Sequence, residues 1–246
     1  MPSLLVINPN TSVPVSGLLQ AHVQEEVGQA VQVRTVGARF GAAYIASEAT
    51  YAVAQHAVLD AWAVHLSKAE RPDAVLIGCF GDPGLFALRE GAGVPVSGLA
   101  EASFAAAAAH GRFAVVTGGE RWRPMLARLA HALGYGDALA GIHTVAPSGA
   151  ELAADPEGAR VLLAAACQEA AQRFGAQAVV LGGAGLAGMA ADIEHQLSVP
   201  LVDSVRAGAQ WALQALQARE RAPDPANEGR FGVAWENLSW EMGALP

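Results

Sequence analysis

The chain has 246 residues, 52% of them hydrophobic and 15% charged, with a formal net charge of −8. So large an apolar share excludes a disordered chain, and the acidic balance, with no block of like charge, argues against nucleic acid or an anionic membrane surface as partner. The two cysteines, Cys79 and Cys167, exclude a disulfide scaffold.

The N-terminal MPSLLVINPNTS has neither a basic segment nor a long apolar one, and every later apolar run is broken by Gly, Pro or charge. No signal peptide and no membrane span are predicted, and a reduced cytoplasmic setting is expected. SLLVIN (3–8) reads as a buried strand ended by the turn formers PNTS, and a helix follows to about residue 28. QVRTVG (32–37) is a second strand, and an Ala-rich helix covers about 46–69. DAVLIG (73–78) is a strand, followed by a short helix after Pro83, a short strand at VPVSG (94–98) and the helical EASFAAAAAH. Strands alternating with helices predict parallel sheets covered on both faces.

The second half repeats the order. RFAVVT (112–117) answers SLLVIN, and GIHTV (141–145) answers QVRTVG. A helix at 155–174 then precedes AVVLGG (178–183), which answers AVLIGC (74–79), and SVPLVDSVRAGAQWAL, which answers GVPVSGLAEASFAAAA. The first two pairs are 109 residues apart (3 to 112, 32 to 141), the third 104 (74 to 178) and the fourth 105 (93 to 198). Four pairs in one order at nearly constant spacing predict two copies of a βαβαβαβα unit. Two Rossmann-like α/β lobes follow, each with a four-stranded parallel sheet, related by a pseudo-two-fold with a cleft between them. Residues 1–104 plus 207–246 are expected to form the first lobe with its C-terminal helix and tail, and residues 105–206 the second.

Open parallel sheets bind ligands beyond the carboxyl ends of their strands, so the loops after residues 8, 79, 117 and 183 should surround the cleft. Cys79 ends a central strand there, where N–H groups and a helix dipole are expected to favour the thiolate. Cys167, within VLLAAACQEAAQ, falls on the apolar face of a helix and reads as core packing. Asn8, Pro9, Asn10, Thr11 and Ser12 lead from the first strand into a helix N-terminus with Pro14 in its first turn, which suits both helix capping and an anion or enolate oxygen. Thr117, Gly118 and Gly119 occupy the matching turn of the second half. Phe80, Gly81, Ala184 and Gly185 flank the two strand-end positions. Tyr44 is placed to wall the cleft or to pack, and Asp82 to orient the Cys79 loop or to form an ordinary Asp-Pro turn.

INPNTS (7–12), GCFGDPGL (78–85), VVLGGAGLAG (179–188) and VPLVDSV (199–205) resemble the aspartate/glutamate/hydantoin racemase superfamily, in particular its hydantoin- and allantoin-racemase branch. The resemblance spans essentially the whole chain. It implies a two-lobed isomerase that moves a proton at a carbon next to a carbonyl of a small amino-acid derivative, without a cofactor. It also implies two facing cysteines, of which Cys79 matches the first, while the second falls on Gly183. Racemisation needs proton access to both faces of a planar carbanion, and one thiol reaches one face. Another group or a water could serve the second face. A one-sided reaction, such as single-cysteine decarboxylation, a nucleophilic thiol, or a non-catalytic binding protein are the alternatives.

Gly183, Gly185 and Gly188 also spell G-x-G-x-x-G after a strand, with Asp203 twenty residues beyond Gly183. Only one further strand follows, and the repeat pairs GGAG with GCFG, so cleft-lining turns explain these glycines better than a dinucleotide site. No histidine pattern for a metal, no P-loop and one lysine, Lys68, are present, so neither a metal nor a cofactor is expected. A small molecule with a carboxylate or imide group is the expected partner, with homo-oligomerisation possible. Beyond the charged linker ARERAPDPANEGR (218–230), Phe231, Trp235, Trp240 and Met242 are expected to dock on the protein's own lobe or on a neighbouring subunit.

Overall fold

The computed structural model describes residues 1–221 and 231–245. Its first half runs β1 (Ser3–Asn8), α1 (Val13–Val27), β2 (Gln32–Gly37), α2 (Glu48–Leu66), β3 (Ala74–Ile77), α3 (Leu85–Gly91), β4 (Val96–Gly98) and α4 (Leu99–Ala108). The second half runs β5 (Phe113–Gly118), α5 (Trp122–Ala132), β6 (Leu139–Val145), α6 (Gly149–Ala154), α7 (Pro156–Phe174), β7 (Ala178–Gly182), α8 (Met189–Ile193), β8 (Leu201–Asp203) and α9 (Ser204–Arg221). A short α10 (Trp240–Gly243) follows. The two sheets are four-stranded, parallel and identically ordered, β2-β1-β3-β4 and β6-β5-β7-β8. The predicted duplication is therefore present in the topology. Residues 222–230, the greater part of the predicted linker, lie outside the described residues.

Local chemistry sets the element ends. Ser12 caps α1 by accepting from Val15 N, with Pro14 in the first turn. A reciprocal Ser47–Thr50 capping box starts α2 at residue 48, two residues later than the apolar pattern suggests. The strand expected at 94–98 is confined to 96–98: Pro95 offers no N–H to the ladder, although its carbonyl accepts from Val75 N. The helix α6 was not anticipated; it starts from a Ser148–Glu151 capping box.

Both chain crossings between the lobes run inside helices. Helix α4 leaves the first sheet and packs on β5, β7 and β8 of the second, while α9 leaves the second and packs on α1, β3 and β4 of the first. The two helices also pack on each other. Leu99, Phe104, Val205 and Ala209 thereby join both sheets in one central core, in which the Phe104 ring stacks on Phe113 at 5.5 Å and meets Phe80 edge-on at 6.1 Å.

The tail docks on α2 of the first half, except that Trp240, expected to dock, is 69% exposed. Phe231 lies against Gly91, and Met242 and Leu245 enter the outer core beside Trp62. Arg39 binds Asp60 through two 2.7 Å bonds and also reaches Glu241, while Ser239 donates to Asp60. Met242 is 1% exposed, so Met242→Ala should lower stability by about 2–3 kcal/mol, the low end for a buried methionine because a one-turn helix can lift away. An unchanged urea midpoint would show that the tail contributes nothing to the fold.

Candidate active site

A cavity of about 90 Å³ opens between the lobes at the carboxyl ends of β1, β3, β5 and β7. Its size is far below the roughly 300–1,000 Å³ of clefts for drug-sized ligands. The four predicted loops meet here: Asn10, Cys79 and Phe80 line it from the first lobe, and Thr117, Gly118, Gly119, Gly183, Ala184 and Gly185 from the second. Tyr44, 38% exposed, stands at the rim. Asn8, Pro9, Thr11 and Gly81 are not among the lining residues. Asn8 is fully buried and holds the turn from beneath, donating to Asn10 Oδ1, the Ser12 carbonyl and Ser16 Oγ. Thr11 N donates to the Ala42 carbonyl, and Gly81 lies under the Trp122 ring.

The walls include residues that sequence reasoning did not select. Val15, Ile45, Trp122 and Leu186 make them largely apolar, and Ser148 and Gly149 close the second-lobe side. The S-x-x-E box at 148–151 was the one readable signal for that edge. The other walls become neighbours only through packing between lobes. Two such contacts sit at the mouth: Tyr51 of α2 meets Trp122 of α5 edge-on at 6.3 Å, and Arg128 binds Glu48 through bonds of 2.8 and 2.9 Å.

Glycine is required where the lobes touch. A β-carbon at Gly182 would overlap the Phe80 ring, and Phe80 is 4% exposed and has nowhere to move. Gly183 has φ +151°, a backbone region that side chains disfavour, and a β-carbon there would come within 3.2 Å of Leu186. Its N–H donates to Ser204 Oγ, and Thr117 Oγ1 donates to the Gly182 carbonyl.

The G-x-G-x-x-G run at 183–188 takes another form than a dinucleotide loop. After Gly183 the chain makes a 3-10 turn at Ala184–Leu186, not a long helix, and Asp203 accepts from the N–H groups of Gly188, Val205 and Arg206. Asp203 is a cap for α9 and an anchor for the glycine loop. Among the described residues, no group of three or more His, Cys, Asp or Glu is placed to hold a metal, and no helix is long and apolar enough to cross a membrane.

Cys79 is 7% exposed, and burial pushes its thiol well above the ordinary range, with the Asp82 carboxylate adding to the effect. This reverses the expected helix-end stabilisation of a thiolate. The helix after Cys79 begins only at Leu85, and the N-terminus of α4 is taken by Asp82. Cys167 is completely buried in α7, and burial raises its thiol to about 12. Asp82 is 1% exposed; burial raises its carboxyl to about 7 against the lowering pull of N–H bonds from Ala100 and Glu101.

Two parallel sheets of identical order thus face a cleft that has one thiol among its lining residues. The family described as Asp/Glu/Hydantoin racemase matches residues 4–212. The chain is 34% identical to a hydantoin racemase of Paenarthrobacter aurescens over 217 residues, covering 85% of this chain and 89% of that one. It is 32% identical to a hydantoin racemase of Pseudomonas sp. (strain NS671), covering 84% and 83% of the two chains. The structure of an allantoin racemase from Klebsiella pneumoniae superposes with a TM-score of 0.88 at 28% identity over 100% of both chains. The chain belongs to the Asp/Glu/hydantoin racemase family.

Two predictions follow from the geometry. Gly182→Ala should force Phe80 out of place and destabilise the protein by about 1–3 kcal/mol, read as a lower urea midpoint; a midpoint equal to wild type would mean the lobes do not touch there. Asp82 has a folded-state value near 7, above that of a free carboxyl, so the stability tied to its proton is complete below about pH 4 and lost as the pH rises through 7. Asp82→Asn should therefore flatten the fall in urea midpoint between about pH 4 and 8, and parallel profiles would contradict the assignment.

Proposed function

We propose that the protein catalyses cofactor-independent proton transfer at a carbonyl-flanked carbon of a small, uncharged amino-acid derivative, a 5-substituted hydantoin in the first place. The observation that carries this reading is the distribution of titratable groups around the cavity. Among the described residues, Cys79 at its base and Tyr44 at its rim are the only titratable side chains lining it, and no Lys, Arg, Asp, Glu or His does. A planar imide ring suits such a site because it brings no formal charge to bury. The apolar walls of Val15, Ile45, Trp122 and Leu186 favour an apolar substituent on the reacting carbon.

Cys79 acts on one face. Its thiolate takes the α-proton, the S–H bond forms, and the electron pair of the broken C–H bond passes into the enolate. The first N–H groups of the 3-10 turn at Ala184 and Gly185 have no partner within that turn and suit the enolate oxygen. On the opposite face Gly183 supplies no side chain; a water in its space gives a proton to the enolate carbon, its O–H bond breaking, and the hydroxide left is neutralised by the proton that Cys79 releases to solvent, which restores the thiolate and the water. The raised thiol fits a weak carbon acid, because a thiolate formed with difficulty is the stronger base.

The lack of a second titratable group in the opposite wall favours one further reading: one-sided protonation of an enolate, as a decarboxylase would require. Proton NMR in deuterated water separates the two. Incubation with a single enantiomer of an apolar 5-substituted hydantoin should exchange the α-proton with loss of optical activity. Exchange with retained chirality would establish the one-sided reaction instead. Cys79→Ala should lower the exchange rate at least a hundredfold while Cys167→Ala leaves it within twofold; equal rates for Cys79→Ala and wild type would end the thiol mechanism. Gly183→Cys is not expected to give a simple two-thiol enzyme, since φ +151° and the 3.2 Å approach to Leu186 oblige the loop to move first.

A further inference from the structure

Asp82 lies three residues beyond Cys79, is 1% exposed and does not line the cavity. Its carboxylate oxygens accept from Ala100 N at 2.9 Å and Glu101 N at 2.8 Å, so it caps α4 from 18 residues upstream. The ordinary position for that cap is Gly98, which has no side chain, and a β-carbon there would overlap the Asp82 carboxyl. Asp82 holds φ +50°, a conformation that a non-glycine residue seldom adopts, and its N–H donates to the Cys79 carbonyl at 3.1 Å. A fold that needed only a helix cap would carry Ser or Asp at residue 98 without backbone strain. The cap instead sits on the thiol loop.

Groups from α2 and α4 surround the carboxyl and its loop. From α2, the Tyr51 hydroxyl donates to the Gly81 carbonyl at 2.8 Å, which pins the same loop. From α4, Glu101 faces Asp82, but it is held away by Arg89 and Ser97. No cation binds Asp82 among the described residues. We infer that Asp82 is a positioning residue for Cys79: it locks the thiol loop onto the start of α4 and holds a carboxylate that no cation neutralises three residues from the thiol. This rests on the reading of Cys79 as the proton-transfer group. For the opposite enantiomer, whose proton leaves on the Gly183 face, the thiol is the acid: the S–H bond breaks, sulfur keeps its electron pair, and the enolate pair forms the new C–H bond.

The test is the alkylation of Cys79 by iodoacetamide, followed by mass spectrometry in a Cys167→Ala background, where Cys79 is the one remaining thiol. It needs no substrate, so it fails independently of the function proposed above. Asp82→Asn keeps the shape and removes the charge, and it should raise the alkylation rate at pH 8 at least tenfold with a midpoint moved to lower pH. Asp82→Ser, a second neutral cap, should do the same if the Asn variant does not fold. Asp82→Glu should keep the slow parental rate. On a substrate that exchanges its α-proton, Asp82→Asn should lower kcat tenfold or more with less than a threefold change in KM. Parental alkylation rates and midpoints in the Asn or Ser variant would overturn the proposal and leave Asp82 as a helix cap alone.

Discussion

The Asp82 carboxylate, buried and bound to two N–H groups at the start of α4, ties together the parts on which the site depends. Through α4 it reaches the second sheet, because that helix packs on β5, β7 and β8. Through its own N–H it fixes the carbonyl of Cys79. The start of α4 and the Cys79 loop are thus tied together by a single side chain. A buried carboxylate with its oxygens satisfied tolerates little movement, since losing either N–H leaves a polar group without water to replace it.

The second half solves the same problem with the parts exchanged. By the repeat, Cys79 pairs with Gly183, Asp82 with Leu186 and Gly98 with Asp203 (offsets of 104, 104 and 105). In the first half the acid sits on the loop and the glycine at the strand end. In the second the acid sits at the strand end, and Asp203 reaches back to Gly188 on the loop while capping α9. Both loops are therefore clamped to helix N-termini. In one half the acidic loop residue stands beside the thiol; in the other the corresponding loop positions are Leu186 and a glycine at φ +151°. The chemistry is lopsided although the scaffold is symmetric. The backbone at Gly183 has settled into a form that glycine adopts freely and cysteine does not.

Much of this was legible in the residues. Strands buried on both faces read as continuous apolar runs, and SLLVIN, AVLIGC and AVVLGG announced the central strands and the duplication. The topology then placed the strand-end loops in one cleft. Trp122, Ile45 and Leu186 were not legible as walls, because they meet the cavity only through packing between lobes. The state of the thiol was misjudged for a related reason. A strand-end cysteine before a helix suggests a stabilised thiolate, but the next helix begins only at Leu85, and burial of the thiol depends on packing that local spacing does not show. The tail illustrates a mixed case: of the four large apolar side chains expected to dock, Met242 is buried beside Trp62 and Phe231 and Trp235 are partly covered, but Trp240 is 69% exposed.

What the account claims at its centre is a planar substrate held between one thiol and one empty backbone position. The most direct measurement is a structure with a 5,5-disubstituted hydantoin, which has no α-proton to lose and remains bound unreacted. The account predicts the Cys79 sulfur over one face of the ring, about 3–3.5 Å from the carbon that would react, with a water above the other face next to Gly183. A ring lying edge-on to Cys79, or a protein side chain filling the space over Gly183, would contradict it.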